Sequence, residues 1–338
     1  KDPNYQQYFP KGFYSTDAFT EKAIEYLDQW KSASSGQPFL LYLAYTAPHD
    51  PLQAWPEEIA KYDESYDSGY GVVRRARYEK QKKIGLLNPK TSPLSPGTHD
   101  DWNSLKPEER VQQAAVMQVY AAMIDRIDQK IGELIQKLNS LGAYEDTLIL
   151  FCSDNGCEKV GSRKTANGIG GVGCFASIGR DWSNVSNTPH RLHKTSPFNG
   201  GSRTPMILNW PNGIEEPGRF TDKFAHLYDV MPTLLELAEA TYPETFDGIS
   251  GRELHGDSFV DVLLNQPLGD RDPIFMNRGN YSYIIDGGYK LVSEDGKRWS
   301  LYNLEKEESE ITDLSEQEPE KHQELLAKYR NWVSQQRN

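Results

Sequence analysis

Residues 147–156 read Thr-Leu-Ile-Leu-Phe-Cys-Ser-Asp-Asn-Gly, an apolar run that stops abruptly at Asp154-Asn155-Gly156. Such a run reads as a buried strand, and in an open α/β sheet ligands collect beyond the carboxyl ends of the strands. The Asp154 carboxylate beside the Asn155 amide offers two hard oxygen donors, the donor type that holds Ca²⁺ or Mg²⁺. An ordinary Asp-Asn-Gly turn has the same composition. What sets this one apart is found elsewhere in the chain. His49 lies in Thr46-Ala-Pro-His-Asp-Pro51, directly after a second apolar run, and Lys194 closes Pro189-His-Arg-Leu-His-Lys194. Together they offer a candidate acid, two metal ligands and a cation. That set suits hydrolysis of an anionic ester, where charge grows on the non-bridging and leaving oxygens. Singly, His49 reads as a loop residue and Lys194 as a solvated tip. Their joint placement on loops of one α/β sheet gives the set its meaning.

Residues 16–31 put Ala23, Ile24, Leu27 and Trp30 on one helical face that Thr16 or Asp17 can cap. Pro38 opens Phe39-Leu-Leu-Tyr-Leu-Ala-Tyr45, which reads as a strand buried on both faces. Pro48 and Pro51 then bar helix around His49. Residues 62–107, rich in Tyr, Pro, Gly and Ser, read as an irregular loop whose basic run (Arg74, Arg75, Arg77, Lys80, Lys82, Lys83) is expected to be a solvated face. From Pro107 to Leu141 the pattern is helical. Tyr120, Ile124, Ile127, Ile131, Leu134, Leu138 and Leu141 recur at three and four, with Pro107 suited to the first turn and Gly142 to the stop. Helix then buried strand, twice over, predicts an α/β fold with a mostly parallel sheet.

Residues 156–202 read as loop. Gly168-Ile-Gly-Gly-Val-Gly173 matches the dinucleotide pattern only formally: it does not directly follow a strand or open a helix, and no acidic residue lies about 20 positions on. Pro205–Trp210 reads as a short strand, and 225–240 as a helix with Leu227, Val230, Leu234, Leu235 and Leu237 inward. Beyond about residue 265 the character changes. Ile274-Phe-Met, Tyr283-Ile-Ile285 and Tyr289-Lys-Leu-Val292 are short strands, the last two joined by an Asp286-Gly-Gly288 turn, and 319–336 is a closing helix. The expected division is a main α/β domain over 1–265 and a smaller antiparallel-sheet α+β subdomain over 266–338.

The chain has 338 residues, 37% hydrophobic and 25% charged, with a mean hydropathy of −0.70. That accommodates one large or two unequal domains with a real core. No stretch approaches the ~20 apolar residues of a membrane span. A net charge of −12 argues against general nucleic-acid binding. Cys152, Cys157 and Cys174 are too few for a disulfide scaffold, which leaves one local bridge or three free thiols. A zinc site would want a fourth ligand and tighter spacing. The Asn184 and Asn280 sequons carry no meaning without a secretory host.

Several long motifs, in order, resemble the type I (formylglycine-dependent) sulfatase family of the alkaline-phosphatase-like superfamily, close to the bacterial arylsulfatases. Leu41-Tyr-Leu-Ala-Tyr-Thr-Ala-Pro-His49 is similar to the family's strand ending in an active-site histidine. Tyr78–Leu87 matches a segment of the arylsulfatase branch, and Leu148–Gly156 is similar to the metal-binding strand. Trp182–Pro189 leads to Lys194, followed by Asn199-Gly-Gly201 and Arg203-Thr-Pro205. Tyr289–Val292 and Trp299–Leu304 look like the closing antiparallel sheet. The resemblance implies that Asp154 and Asn155 complete a Ca²⁺ site (Mg²⁺ being the alternative ion), that Lys194 binds a sulfate oxygen, and that His49, with Lys194, protonates or stabilises the departing oxygen. It also implies a sulfated small molecule or glycan as substrate, and favours a periplasmic or extracellular setting.

Asn199 stands where the family usually has Glu, and His190, Phe198 and Met276-Asn277-Arg278 depart as well, which bears on substrate choice more than on chemistry. A larger departure is the lack of the Cys/Ser-x-Pro/Ala-x-Arg motif that becomes formylglycine, and of the first-strand Asp pair. By the resemblance, the chain corresponds to the C-terminal portion of a sulfatase, with the nucleophile on an N-terminal segment that is its partner. Left by itself it would be inactive and poorly soluble, with bare strand edges. The alternatives are a non-catalytic module gripping sulfated glycans through Lys194, Arg191 and the 74–83 basic run, or a phosphodiesterase or phosphonate hydrolase of the same superfamily.

Overall fold

Thr16, Thr20, Ala23 and Leu27, spaced four, three and four apart, form the buried stripe of the first helix, α1 (Ser15–Ser32). Its partner is α4 (Pro107–Ser140), the long helix predicted from the three-and-four spacing, with Pro107 at its first turn. A computed structural model describes residues 12–33, 36–161, 168–251, 253–267 and 269–336. Between α1 and α4 lie α2 (Pro56–Ala60) and α3 (Tyr70–Lys83). After them come β1 (Ile149–Cys152), α5 (Gly179–Ser186), α6 (Asn199–Ser202), β2 (Met206–Asn209), α7 (Val230–Leu237), β3 (Thr245–Phe246), β4 (Ile249–Ser250) and α8 (Val260–Leu263). The C-terminal part holds β5 (Ile274–Arg278), β6 (Tyr281–Asp286), β7 (Tyr289–Ser293), β8 (Ser300–Asn303) and α9 (Pro319–Gln335). Two units interleave along the chain: Lys1–Arg75 with Thr98–Glu145 and Glu158–Ser186, and Ala76–Gly97 with Asp146–Cys157 and Asn187–Asn338.

In the first unit, α4 buries Ala114, Val116, Met117, Val119, Ala122 and Met123 in its N-terminal half, and only Ile127, Lys130 and Leu138 beyond. The narrow stripe expected from its isoleucines and leucines is therefore incomplete, and Ile124 is exposed. Arg126 on α4 reaches Asp17 of α1 through two hydrogen bonds, of 2.7 and 2.8 Å. Burial alone would raise the Asp17 pKa, but the Arg126 bonds outweigh it and hold the carboxyl below its ordinary value. A depressed carboxylate stabilises the fold fully above its unfolded pKa and loses that contribution as pH falls through the folded one. Arg126→Met is therefore expected to flatten the acid limb of the stability–pH curve below about pH 4, read by urea titration at several pH values.

Several expectations are corrected. Residues 39–45 form no strand among the described residues. Leu40 and Tyr42 are 79% and 90% exposed, while Phe39, Leu41, Leu43 and Tyr45 are half-buried. The run keeps the two-residue alternation of a strand but lacks the ladder partner that would bury both faces. The loop expected over 62–107 contains α3, because from Val72 to Lys83 there is no Gly or Pro and strong helix formers dominate. Its basic run is not wholly solvated: Tyr70, Arg74 and Tyr78, four apart, are all buried. Likewise 156–202 contains α5 and α6, and Leu227, expected inward, is exposed.

In the second unit β1 pairs antiparallel with β2, Leu150 opposite Leu208. Every ladder among the described residues is antiparallel, and the one parallel pairing is an isolated bridge, Gln53 to Gly170. The expected C-terminal antiparallel sheet and its helix are present, within the second unit. Strands β5-β6-β7-β8 form a meander, and α9 lays Leu325, Leu326 and Tyr329 against Ile284, Leu291 and Leu301. The Tyr329 hydroxyl bonds Ser282 at 2.7 Å, satisfying the one polar tip in that core. Among the described residues no helix is long and apolar enough to cross a membrane.

Candidate active site

The second unit brings three of the four candidate residues into one stitched assembly. Asp154 and Asn155 follow β1, and the main chain then turns at Gly156 against a Gly-Gly pair. Gly156 N–H donates to Gly201 O at 3.1 Å, and a Cβ added at Gly156 would lie 1.8 Å from Gly200 O. Gly200 and Gly201 are equally confined: a Cβ would fall 2.1 Å from Arg191 O and 2.3 Å from Ser196 O respectively. Three glycines thus let the 187–203 segment fold backbone against backbone onto the end of β1. Lys194 is then pinned directly, its N–H donating to Cys157 O at 2.9 Å, while Cys157 N–H donates to the Asn187 side chain at 3.0 Å. Leu192 and Thr195, which flank His193-Lys194, have φ of +63° and +65°. For a leucine and a β-branched threonine that region is strained, and such strain persists only where the surroundings over-determine it.

Asn155 donates its amide nitrogen to Gly156 O at 3.0 Å, which leaves Oδ1 as the side chain's remaining donor oxygen, and the Asp154 carboxylate is exposed. Two hard oxygens on one loop fit a Ca²⁺- or Mg²⁺-type ion, but they fall short of the six to eight ligands calcium takes. Among the described residues no group of three or more His, Cys, Asp or Glu converges to hold a metal. All three cysteines are free, which settles the open question of a bridge. Burial first, and then the Asp154 charge, raise the Cys152 thiol pKa above its ordinary value.

The frame behind Lys194 was not foreseen. Asn199 is buried and fully employed: its N–H donates to Glu310 Oε2 at 2.6 Å, its Nδ2 to Glu308 O at 2.8 Å, and its Oδ1 accepts from Lys290 Nζ at 2.8 Å. Lys290 and Glu310, both with fully buried side chains, pair at 2.8 Å. Burial lowers the Lys290 pKa, and Glu310 opposes that. The Asn199 departure noted in the sequence is therefore structural. Arg191 is committed too, donating to Glu310 O at 3.1 Å and lying 4.1 Å over the Phe198 ring. Of the basic residues suggested as a glycan grip, Arg74 is buried.

His49 belongs to the first unit. Its Nδ1 lies 2.6 Å from Asp50 Oδ1 and 2.9 Å from Asp50 O, and its Nε2 is 4.0 Å from Glu158 Oε2. Its backbone N–H donates to Thr46 O at 3.1 Å, and cis peptides precede Pro48 and Pro51.

The comparisons with known proteins bear on this arrangement. The family profile described as "Sulfatase" matches residues 1–240. The chain belongs to the sulfatase family. A second profile, "N-sulphoglucosamine sulphohydrolase, C-terminal", matches residues 192–338. An uncharacterized sulfatase of Schizosaccharomyces pombe is 32% identical over 94% of this chain and 61% of its own. The arylsulfatase of Klebsiella aerogenes is 35% identical over 68% of this chain and 52% of its own. A solved structure of a protein in complex with its substrate D-glucosamine-2-N,6-O-disulfate superposes with a TM-score of 0.63 at 18% identity, covering 95% of this chain and 70% of that one. The fold is that of the alkaline-phosphatase-like sulfatases. The chain spans 52–61% of the length of these curated relatives.

Proposed function

We propose that this sulfatase-family chain carries the leaving-group side and part of the metal site of a sulfuric ester hydrolase of the arylsulfatase or glycan-sulfatase type. The observation that carries the proposal is the stitching of Lys194 to the Asp154-Asn155 loop through Cys157 O, across the Gly156/Gly200-Gly201 contact. It holds a cation and two hard oxygen donors on one rigid backbone frame, and fixed charges cost no reorganisation when the ester's charge redistributes. Asp154 and the Asn155 Oδ1 would hold Ca²⁺, which when bound supplies a local positive charge for the non-bridging sulfate oxygens. A neutral Asn as ligand keeps that charge higher than a second carboxylate would. Lys194 directs its ammonium to a sulfate oxygen, and His49 gives a proton to the departing alkoxide or phenoxide. The nucleophile, a formylglycine hydrate in the resembling family, would come from sequence preceding Lys1, as would further metal carboxylates. A sulfated sugar substrate is supported by the similarly folded protein bound to a disulfated glucosamine.

The test is product release from 4-nitrophenyl sulfate and from glucosamine 6-sulfate, with the monoester 4-nitrophenyl phenylphosphonate and bis(4-nitrophenyl) phosphate as controls, by the chain joined to its preceding sequence. Turnover of a sulfate ester in preference to both controls is expected. Preference for the phosphonate or the phosphodiester would assign the site to the other chemistry of the superfamily.

A further inference from the structure

The Nδ1 atom of His49 hydrogen-bonds the main-chain carbonyl of Asp50 at 2.9 Å and lies 2.6 Å from the carboxylate Oδ1, an ion-pair contact in which Oδ1 makes no hydrogen bond. Both are acceptors, so Nδ1 must carry a hydrogen. An imine lone pair facing a carboxylate and a carbonyl would be repelled by both. Asp50 is itself held: the buried Ser177 donates its hydroxyl to Asp50 Oδ2 at 2.6 Å. One carboxylate oxygen is thus anchored from Ser177, and the other is turned to the imidazole. Across the ring, Glu158 Oε2 sits 4.0 Å from Nε2, too far for a hydrogen bond. Glu158 is fixed by its other oxygen, Oε1, which accepts from Lys159 N–H at 2.7 Å and Val160 N–H at 3.2 Å. All these residues lie in the first unit.

We propose that Asp50, braced by Ser177, is a positioning residue for His49: it fixes the hydrogen on Nδ1 and leaves Nε2 as the nitrogen that exchanges a proton with the leaving group. The role rests on His49 being the general acid proposed above. As the attacking oxygen of the nucleophile proposed above bonds to sulfur, the S–O bond to the leaving group breaks and its electron pair stays on the leaving oxygen. The Nε2 hydrogen moves to that oxygen as a proton, and the imidazolium becomes the neutral Nδ1–H tautomer that Asp50 already favours. The carboxylate therefore lowers the cost of both the charged and the neutral forms the step passes through. A sequence search for metal and phosphate-type motifs passes over Asp50, because between two prolines it reads only as a turn residue.

The experiment is long-range ¹H–¹⁵N correlation of the ring nitrogens in this chain labelled with ¹⁵N-histidine, His49 being assigned by its loss in His49→Gln. At a pH where the ring is neutral, wild type is expected to show a protonated Nδ1 and a bare Nε2. Asp50→Ala is expected to move the ring toward the Nε2–H tautomer, and Ser177→Ala, which leaves the carboxylate in place, to move it less. A wild-type ring protonated at Nε2, or one unchanged in Asp50→Ala, would overturn the proposal. In the catalytically competent protein, Asp50→Ala should lose about tenfold more kcat on phenyl sulfate than on 4-nitrophenyl sulfate, because only the poorer leaving group needs the proton. Equal losses on both would contradict positioning of an acid. If His49→Gln shows no such leaving-group dependence, the general-acid role of His49 fails, whereas the tautomer result stands or falls separately.

Discussion

Lys194→Ala is expected to lower kcat for aryl sulfate hydrolysis by about 10²–10³-fold, the loss typical of removing one preorganised donor to a developing oxyanion. The backbone at residue 194 should not move. Its N–H bond to Cys157 O and the left-handed turns at Leu192 and Thr195 are main-chain features that do not need the ammonium. Lys194→Arg is expected to recover only part of the loss, because a planar fork cannot take the place of a compact point charge. Lys194→Ala should also retain the wild-type unfolding midpoint. Initial-rate kinetics with a parallel thermal melt separate the two effects. A variant with wild-type kcat would remove Lys194 from the site.

The second large effect is on stability. Lys290→Met is expected to destabilise the protein by about 3–5 kcal/mol, because it strands the Glu310 carboxylate in a fully buried position. It also removes the donor to Asn199 Oδ1, one of the three hydrogen bonds that hold Asn199 at the start of α6. Glu310→Gln should also destabilise, since the amide has one acceptor oxygen for two donors, Lys290 Nζ at Oε1 and Asn199 N–H at Oε2. The double replacement Lys290→Met/Glu310→Leu is expected to recover much of the loss, as buried ion pairs exchanged for apolar residues of similar volume often do. Urea unfolding of the three variants decides it. Additive losses would mean that Lys290 and Glu310 are not coupled.

The fold was legible where a period or a turn residue dominates. The helices α1, α4 and α9 and the Asp286-Gly-Gly288 hairpin follow from local rules and are present, although α1 starts after Tyr14 with no Thr16 or Asp17 cap and the α4 stripe is incomplete. The run 39–45 was misread because continuous apolarity signals burial only if neighbouring strands exist to bury it, and no local rule supplies them. Helix α3 was hidden by averaging: a stretch of 46 residues rich in Pro and Gly contains fourteen helical ones. Asp154, Asn155 and Lys194 were legible as candidates from residue type and position. What positions them was not. Glu310 lies 111 residues from Asn199, and Ser177 lies 127 from Asp50, separations that only the folded chain brings to hydrogen-bond distance. The Gly200-Gly201 pair did carry a signal, since adjacent glycines at the start of a helix are unfavourable unless a close backbone approach requires them.

Sulfate release from 4-nitrophenyl sulfate by two preparations, this chain alone and the chain joined to its preceding sequence, tests most directly the claim that these residues form one side of a divided sulfatase site. The chain alone should stay at the buffer blank. The joined protein should turn over, stop on treatment with EDTA, recover with Ca²⁺, and lose that recovery in Asp154→Ala. Turnover by the chain alone, or EDTA-resistant turnover by the joined protein, would contradict the assignment.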